Sequence, residues 1–353
     1  MSQVQINGIQ QVGIGVENAS EAWAWYRKAF KMDVPIFQDS AEAKLMTRYT
    51  AGKVESRHAI LAMNMQGGGG FEIWQYTSKT PLASKNKLQW TDLGILAVKI
   101  RCKDSQKTYD HLLSIDADVL NKPCKNPAGD KHFYVKDPFG NIFELVENKS
   151  WFSQNKDLTG GVLGVVMGVS SINKVLPIYQ EHFQQSDILA DASKVWEDFD
   201  SLGAPDQAFR RVILQGSPKP CGAVGKLLCQ PQIELIETDH PSRRNIFKDR
   251  NWGDLGFIHV CFDVNEMSLL KQNLKDIGVE FTVDSENEFD MGNAAGRFAY
   301  IEDPDGTLIE MVETYKIPIM EKIGWYLNLR KRKNHTTLPS FILKALALNR
   351  LKD

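Results

Sequence analysis

The 353-residue chain contains no apolar run of the length a membrane-spanning helix needs. Its first residues, Met1-Ser2-Gln3-Val4-Gln5, have neither the basic nor the apolar region of a signal peptide. Cysteine is scarce: Cys102, Cys124, Cys221, Cys229 and Cys261 are odd in number and form no CxxC pair. That excludes a disulfide framework and fits a reducing compartment, so a cytoplasmic location is expected. Charge of either sign is not in excess. With 42 basic and 44 acidic residues the net charge is -2, which gives no general attraction to nucleic acid. What is present, 42% hydrophobic and 24% charged residues, describes a soluble globular chain long enough for two domains.

The chain repeats itself. YVKDPFGNIFELVE from Tyr134 and YIEDPDGTLIEMVE from Tyr300 share 7 of 14 positions. DLGILAVKI from Asp92 matches DLGFIHVCF from Asp254, and GIQQVGIGVENASEAWAWY from Gly8 matches GVLGVVMGVSSINKVLPIY from Gly161. The offsets of these matches agree closely enough to mean duplication. Each copy halves again, because segments near residues 8, 93, 161 and 255 all open with alternating apolar residues. In the first, Val12, Ile14 and Val16 share one face. Ala22, Trp25, Tyr26, Ala29 and Phe30 then recur at helical spacing. Further strands follow and end on FEIWQY (71–76) or IFELVE (142–147), the latter preceded by an Asp-Pro-x-Gly turn.

Four βαβββ modules of this kind resemble the vicinal-oxygen-chelate superfamily of glyoxalases, bleomycin-resistance proteins, epimerases and extradiol dioxygenases. The expected class is α+β, with two cup-shaped mixed sheets and helices on their convex faces. Modules 1 and 2 (residues 1–150) are expected to close one cup, and modules 3 and 4 (residues 158–315) the other.

The resemblance implies a divalent metal held by first-strand and last-strand residues of each module. The first-strand register falls on Gln11, Ala97, Gly164 and His259. The last-strand carboxylates are Glu72, Glu144, Glu234 and Glu310. The first cup would then offer Gln11, Glu72 and Glu144, and the second Glu234, His259 and Glu310. Each would have one protein position empty, as an open catalytic site requires. The metal would be zinc, nickel, manganese, cobalt or iron. Glu147, Glu237 and Glu313, three residues further on, face the opposite side. By strand parity Trp74 and Tyr76 follow Glu72 into the cup, Lys99 and Arg101 follow Ala97, and Asp263 follows His259. These are the candidate contacts to a small-molecule substrate.

Residues 316–353 lie outside the repeat and carry nine basic against two acidic residues. Segments 319–327 and 340–351 read as short amphipathic helices joined by the basic block 330–333. This basic helical extension is expected to strap an acidic domain, with Ile323, Trp325, Leu327, Phe341 and Leu346 facing inward. Contact with an anionic membrane surface is the alternative.

Three functions compete. One is a metal enzyme of the glyoxalase or epimerase type, in which Glu310 and Glu234 hold metal and move a proton on a carbonyl compound. Another is an iron(II) dioxygenase like the ring-cleaving or 4-hydroxyphenylpyruvate enzymes, which requires two histidines and one carboxylate. The remaining one is a metal-free binding protein with an aromatic cup.

Overall fold

The computed structural model describes residues 3–286, 289–290, 295–320, 324–330, 332 and 336–351. Period-two segments form strands, and the stretches with helical spacing form helices. Gln5–Gly15, Gly94–Cys102, Thr159–Gly168 and Gly256–Asn265 are the four opening strands. The helix Ala19–Phe30 is capped by Asn18, whose side chain accepts from the Ser20 and Glu21 N–H groups. Asp104 caps Ser105–Ser114 through the Lys107 N–H. The two Asp-Pro-x-Gly turns are built alike. Asp137 accepts from the Phe139 and Asn141 N–H groups, and Asp303 from those of Asp305 and Thr307. Gly140 and Gly306 follow at φ 91° and 81°, where a side chain would strain the backbone.

The fold is α+β, with two curled mixed sheets, but the modules pair differently from the expectation. One sheet runs Val283–Asp284, Ala295–Glu302, Leu308–Met320, Gly256–Asn265, Gln5–Gly15, Gly70–Tyr76, Ser56–Met63, Val34–Glu42. It therefore joins module 4 to module 1, and we call it the outer sheet. The inner sheet runs Asp187–Val195, Ala208–Gln215, Gln232–Glu237, Thr159–Gly168, Gly94–Cys102, Ile142–Glu147, Lys131–Lys136, Asp118–Val119. It joins module 3 to module 2. The opening strands make the joins: Gln5–Gly15 runs antiparallel to Gly256–Asn265, and Thr159–Gly168 antiparallel to Gly94–Cys102. Residues 1–150 and 158–315 thus do not close separate cups.

The core lies where the helices are buried. Tyr26 and Phe30 of the first helix contact Phe71 of the outer sheet and Phe143 of the inner sheet. The Tyr26 hydroxyl donates to Asp137 Oδ2 at 2.8 Å, tying module 1 to module 2.

The extension after residue 316 is only partly helical. The Leu308 strand continues to Met320 and returns as Trp325–Asn328, where a helix over 319–327 was expected. Gly324, at φ 65°, lies where the chain turns back between the two strands. A helix does form at Ser340–Ala345. Ile317, Ile319, Leu338, Leu343 and Leu346 bury against Val34, Met63 and Leu227. Trp325 and Phe341 do not join them and stay 43% and 72% exposed. Ile323, Lys331 and Lys333 lie outside the described residues. No described helix is long and apolar enough to cross a membrane.

Candidate metal centre

Because modules 1 and 4 share a sheet, four expected ligands meet in one cup. Gln11 and His259 lie on the two central opening strands, in register with Cys261 and Gly13 respectively. Glu72 and Glu310 come from the flanking parallel strands, beside Gly13 and Cys261. All four side chains are buried. His259 Nε2 is 3.0 Å from Glu310 Oε2 and 3.4 Å from Glu72 Oε2. Gln11 Nε2 lies 3.4 Å from each carboxylate. The donor atoms of Glu72, His259 and Glu310 all fall within 4.8 Å of one another, a spacing that could hold a metal ion. Gly13 makes the room: a Cβ there would sit 2.5 Å from the imidazole Cε1.

The electrostatics are those of a site short of positive charge. Burial pushes the Glu72 carboxyl up to about 7, and the neighbouring Glu310 adds to the rise. Burial opposes protonation of His259, but Glu310 and Glu72 outweigh it and raise the imidazole above its ordinary value. Gln11 Oε1 is buried without a hydrogen-bond partner. His259 Nε2 is not aligned for a hydrogen bond with either acid. Orphaned buried donors and acceptors are costly. On its other side His259 Nδ1 is 3.4 Å from the Tyr300 hydroxyl, which fixes the ring.

The site opens into a cavity of about 360 Å³. Trp74 lines it, packed edge-on to Trp252 at 4.5 Å. The other expected substrate contacts do not reach it. The Tyr76 hydroxyl donates to the Trp252 carbonyl. Asp263 is tied to Asn7, Gln10 and Thr314 at 2.5–2.9 Å, and burial pushes its carboxyl up to about 6. Arg101 is wholly buried, donating to Asn148 Oδ1, the Ser150 carbonyl and the Gln230 carbonyl.

Glu144 and Glu234, expected in separate metal sites, meet in the inner cup. The first-strand positions there are Ala97 and Gly164, so no donor joins them. Lys99 Nζ instead lies 3.0 Å from Glu144 and 2.6 Å from Glu234. Arg211 bridges Glu234 and Asp198 at 2.7 Å each, and His132 Nδ1 is 2.7 Å from Glu144. Three acids face three bases with no exposure to water beyond a trace at Asp198. Burial works against the charges of Glu144 and His132, but their partners win. Glu144 is held well below the usual carboxylate range by Lys99 and His132. His132 is raised to about 9 by Cys124 and Glu144.

His132, Asp198 and Arg211 were not singled out from sequence. Arg211 carried a signal: it shares strand parity with Phe209 and Ile213, both buried, and so had to point inward.

The profile of the Glyoxalase/Bleomycin resistance protein/Dioxygenase superfamily matches residues 8–145. That match covers less than half of the chain, and over its greater part the chain has the glyoxalase-type fold. Glyoxalase I from Zea mays aligns with a TM-score of 0.53 at 12% identity, over 88% of this chain and 92% of that one. A mutant of the maize protein gives 0.56 at 12% identity, over 87% and 93%. A putative dioxygenase from Bacillus subtilis gives 0.55, also at 12% identity, over 88% and 86%. No curated protein matches. Such distant likeness speaks for the glyoxalase-type fold alone.

Proposed function

We propose that the chain is a divalent-metal-dependent enzyme of the glyoxalase or epimerase type, with one working site, in the outer cup. The observation that carries this reading is the convergence of Gln11, Glu72, His259 and Glu310 at the floor of a cavity, with Gln11 Oε1 left unpartnered. An imidazole, two carboxylates and an amide oxygen suit zinc, nickel, manganese, cobalt or iron. Two buried acids beside a histidine also fit a cation better than they fit one another. A bound ion would act as a Lewis acid on vicinal substrate oxygens and make the adjacent C–H more acidic.

The chain's own residues supply the rest. With the proton on His259 Nδ1, the Tyr300 hydroxyl 3.4 Å away would accept it, and Nε2 would offer its lone pair to the ion. Trp74 and Trp252 exclude water from the floor. Once freed from the ion, the Glu310 carboxylate would take the proton from the substrate carbon and return it to the neighbouring carbon in a glyoxalase-type reaction, or to the same carbon in an epimerisation, with Glu72 facing it from the other module. Glu234, the other expected acid, has no part in this, since Lys99 and Arg211 occupy both of its oxygens.

Among the described residues one histidine, His259, stands at the outer-cup donors where an iron dioxygenase needs two, so the donor set favours the first reading. Elemental analysis of purified protein should find close to one divalent ion per chain. His259→Ala should lose the ion and keep the fold. Two ions per chain, or full retention by His259→Ala, would overturn the assignment.

A further inference from the structure

The cavity above the four donors is lined mainly by apolar side chains, and two hydrophobic clusters meet in it. One contributes Phe37, Met46 and Trp252, with Phe298 packed against it. The other contributes Leu227, Ile317 and Leu346, the last two from the C-terminal extension. The cationic side chains among the described lining residues are already engaged. Arg57 Nη1 bonds Asp39 Oδ2 at 3.1 Å and the Asp39 carbonyl at 2.9 Å. Lys44 lies 3.4 Å from Glu42, and Lys316 sits 4.6 Å over the Tyr326 ring. A ligand carboxylate or phosphate would therefore meet two cations already paired with Asp39 and Glu42, and Lys316 held over an aromatic ring. An apolar ligand would meet carbon on most sides, in a volume within the usual range of small-molecule sites.

We infer that the substrate is an uncharged, largely apolar molecule carrying its vicinal oxygens at one end, and that Ile317 and Leu346 of the extension set the length it accepts. The oxygen-bearing end rests on the metal-site reading; the apolar body rests on the cavity walls alone. The extension is thus part of the binding site as well as a strap.

The test uses full-length protein stripped of metal by a chelator, so that binding is read without turnover. The neutral fluorophore N-phenyl-1-naphthylamine should bind, and straight-chain 2,3-diketones of increasing length should displace it. Each added methylene should tighten displacement by roughly three- to fourfold until the cavity is full. Leu346→Trp should weaken the longest diketone about tenfold and leave the shortest unchanged, on the same area argument. Leu227→Trp provides the same test should the first variant misfold.

A flat series would overturn the proposal. So would equal displacement by chains ending in a carboxylate, or a length limit that neither variant moves. His259→Ala should keep the whole series while losing the metal. Loss of metal binding in the wild type with the series intact would sink only the enzyme reading; metal binding with a flat series would sink only this one.

Discussion

The two cups are built on the same strand framework and answer the same problem, inward carboxylates in a dry site, in different ways. In the outer cup Gln11 and His259 stand at the opening-strand positions, and among the described residues no Lys or Arg makes an ion pair with Glu72 or Glu310, Arg57 acting on Glu72 only from a distance. In the inner cup the corresponding positions are Gly164 and Ala97, and an ammonium group two residues along, on Lys99, sits between Glu144 and Glu234. One cup has room for a cation that the proposed function supplies from outside. The other carries its cation on the chain. On the proposed reading, a buried acid pair persists only with compensation, exchangeable in one cup and covalent in the other.

The contrast breaks most sharply at Lys99. Lys99→Met leaves Glu144 and Glu234 buried with one charge too few, which should cost about 3–5 kcal/mol in urea unfolding. Added divalent ion should recover part of that loss. A neutral effect would mean that the inner network is not held together by charge.

The pH dependence should separate the cups next. His132 has a folded value of about 9 against an ordinary 6.5. Its contribution is therefore complete below pH 6.5 and is lost as pH rises through about 9. Glu72 is an acid raised from 4.5 to about 7, so its protonated form favours the fold, and stability falls as pH rises from 4.5 through 7. Each window should be worth on the order of 2–3 kcal/mol. Saturating metal should abolish the lower window and leave the upper one untouched. His132→Gln should do the reverse, and unfolding curves at fixed pH would show it.

The smallest effect is expected at Gln11. Gln11→Ala gives the outer cup the alanine that the inner cup has at position 97. Metal-free stability should move by no more than about 1 kcal/mol, because an orphaned oxygen leaves with the amide. Metal affinity, followed by competition with a chromophoric chelator, should fall. Unchanged affinity would remove Gln11 from the donor set.

The architecture was legible in the sequence because each module opens on alternation, two of the helices carry side-chain caps at Asn18 and Asp104, and modules 2 and 4 each carry an Asp-Pro-x-Gly turn. The register of the donors was legible for the same reason. What failed was the pairing of modules. Local pattern fixes which face of a strand is buried but says nothing about which other strand lies beside it. A clue was available: the donors Gln11 and His259 lie in modules 1 and 4, while the empty positions 97 and 164 lie in modules 2 and 3. Grouping like with like would have paired the cups correctly. Lys99 was placed in a cup by parity, but its role depended on which carboxylates lay opposite, and that is tertiary information. Trp325 and Phe341 misled because exposed aromatics look like core residues in any helical reading.

The nested pairing of modules also orders the events of folding. Residues 94–237 complete the inner sheet from one continuous stretch, while the outer sheet needs Gln5–Gly15 to meet Gly256–Asn265 across everything between. During synthesis the first module must wait, with a sheet edge unpaired, until the last one leaves the ribosome. At about 5–20 residues per second that wait lasts on the order of ten seconds or more. The inner unit can condense meanwhile, its six charged groups already neutralised without any metal supply. The donors Gln11 and Glu310, 299 residues apart, are brought together only when the chain is nearly complete. The outer cup is thus completed late, and a nascent chain lacks it until its synthesis is nearly done.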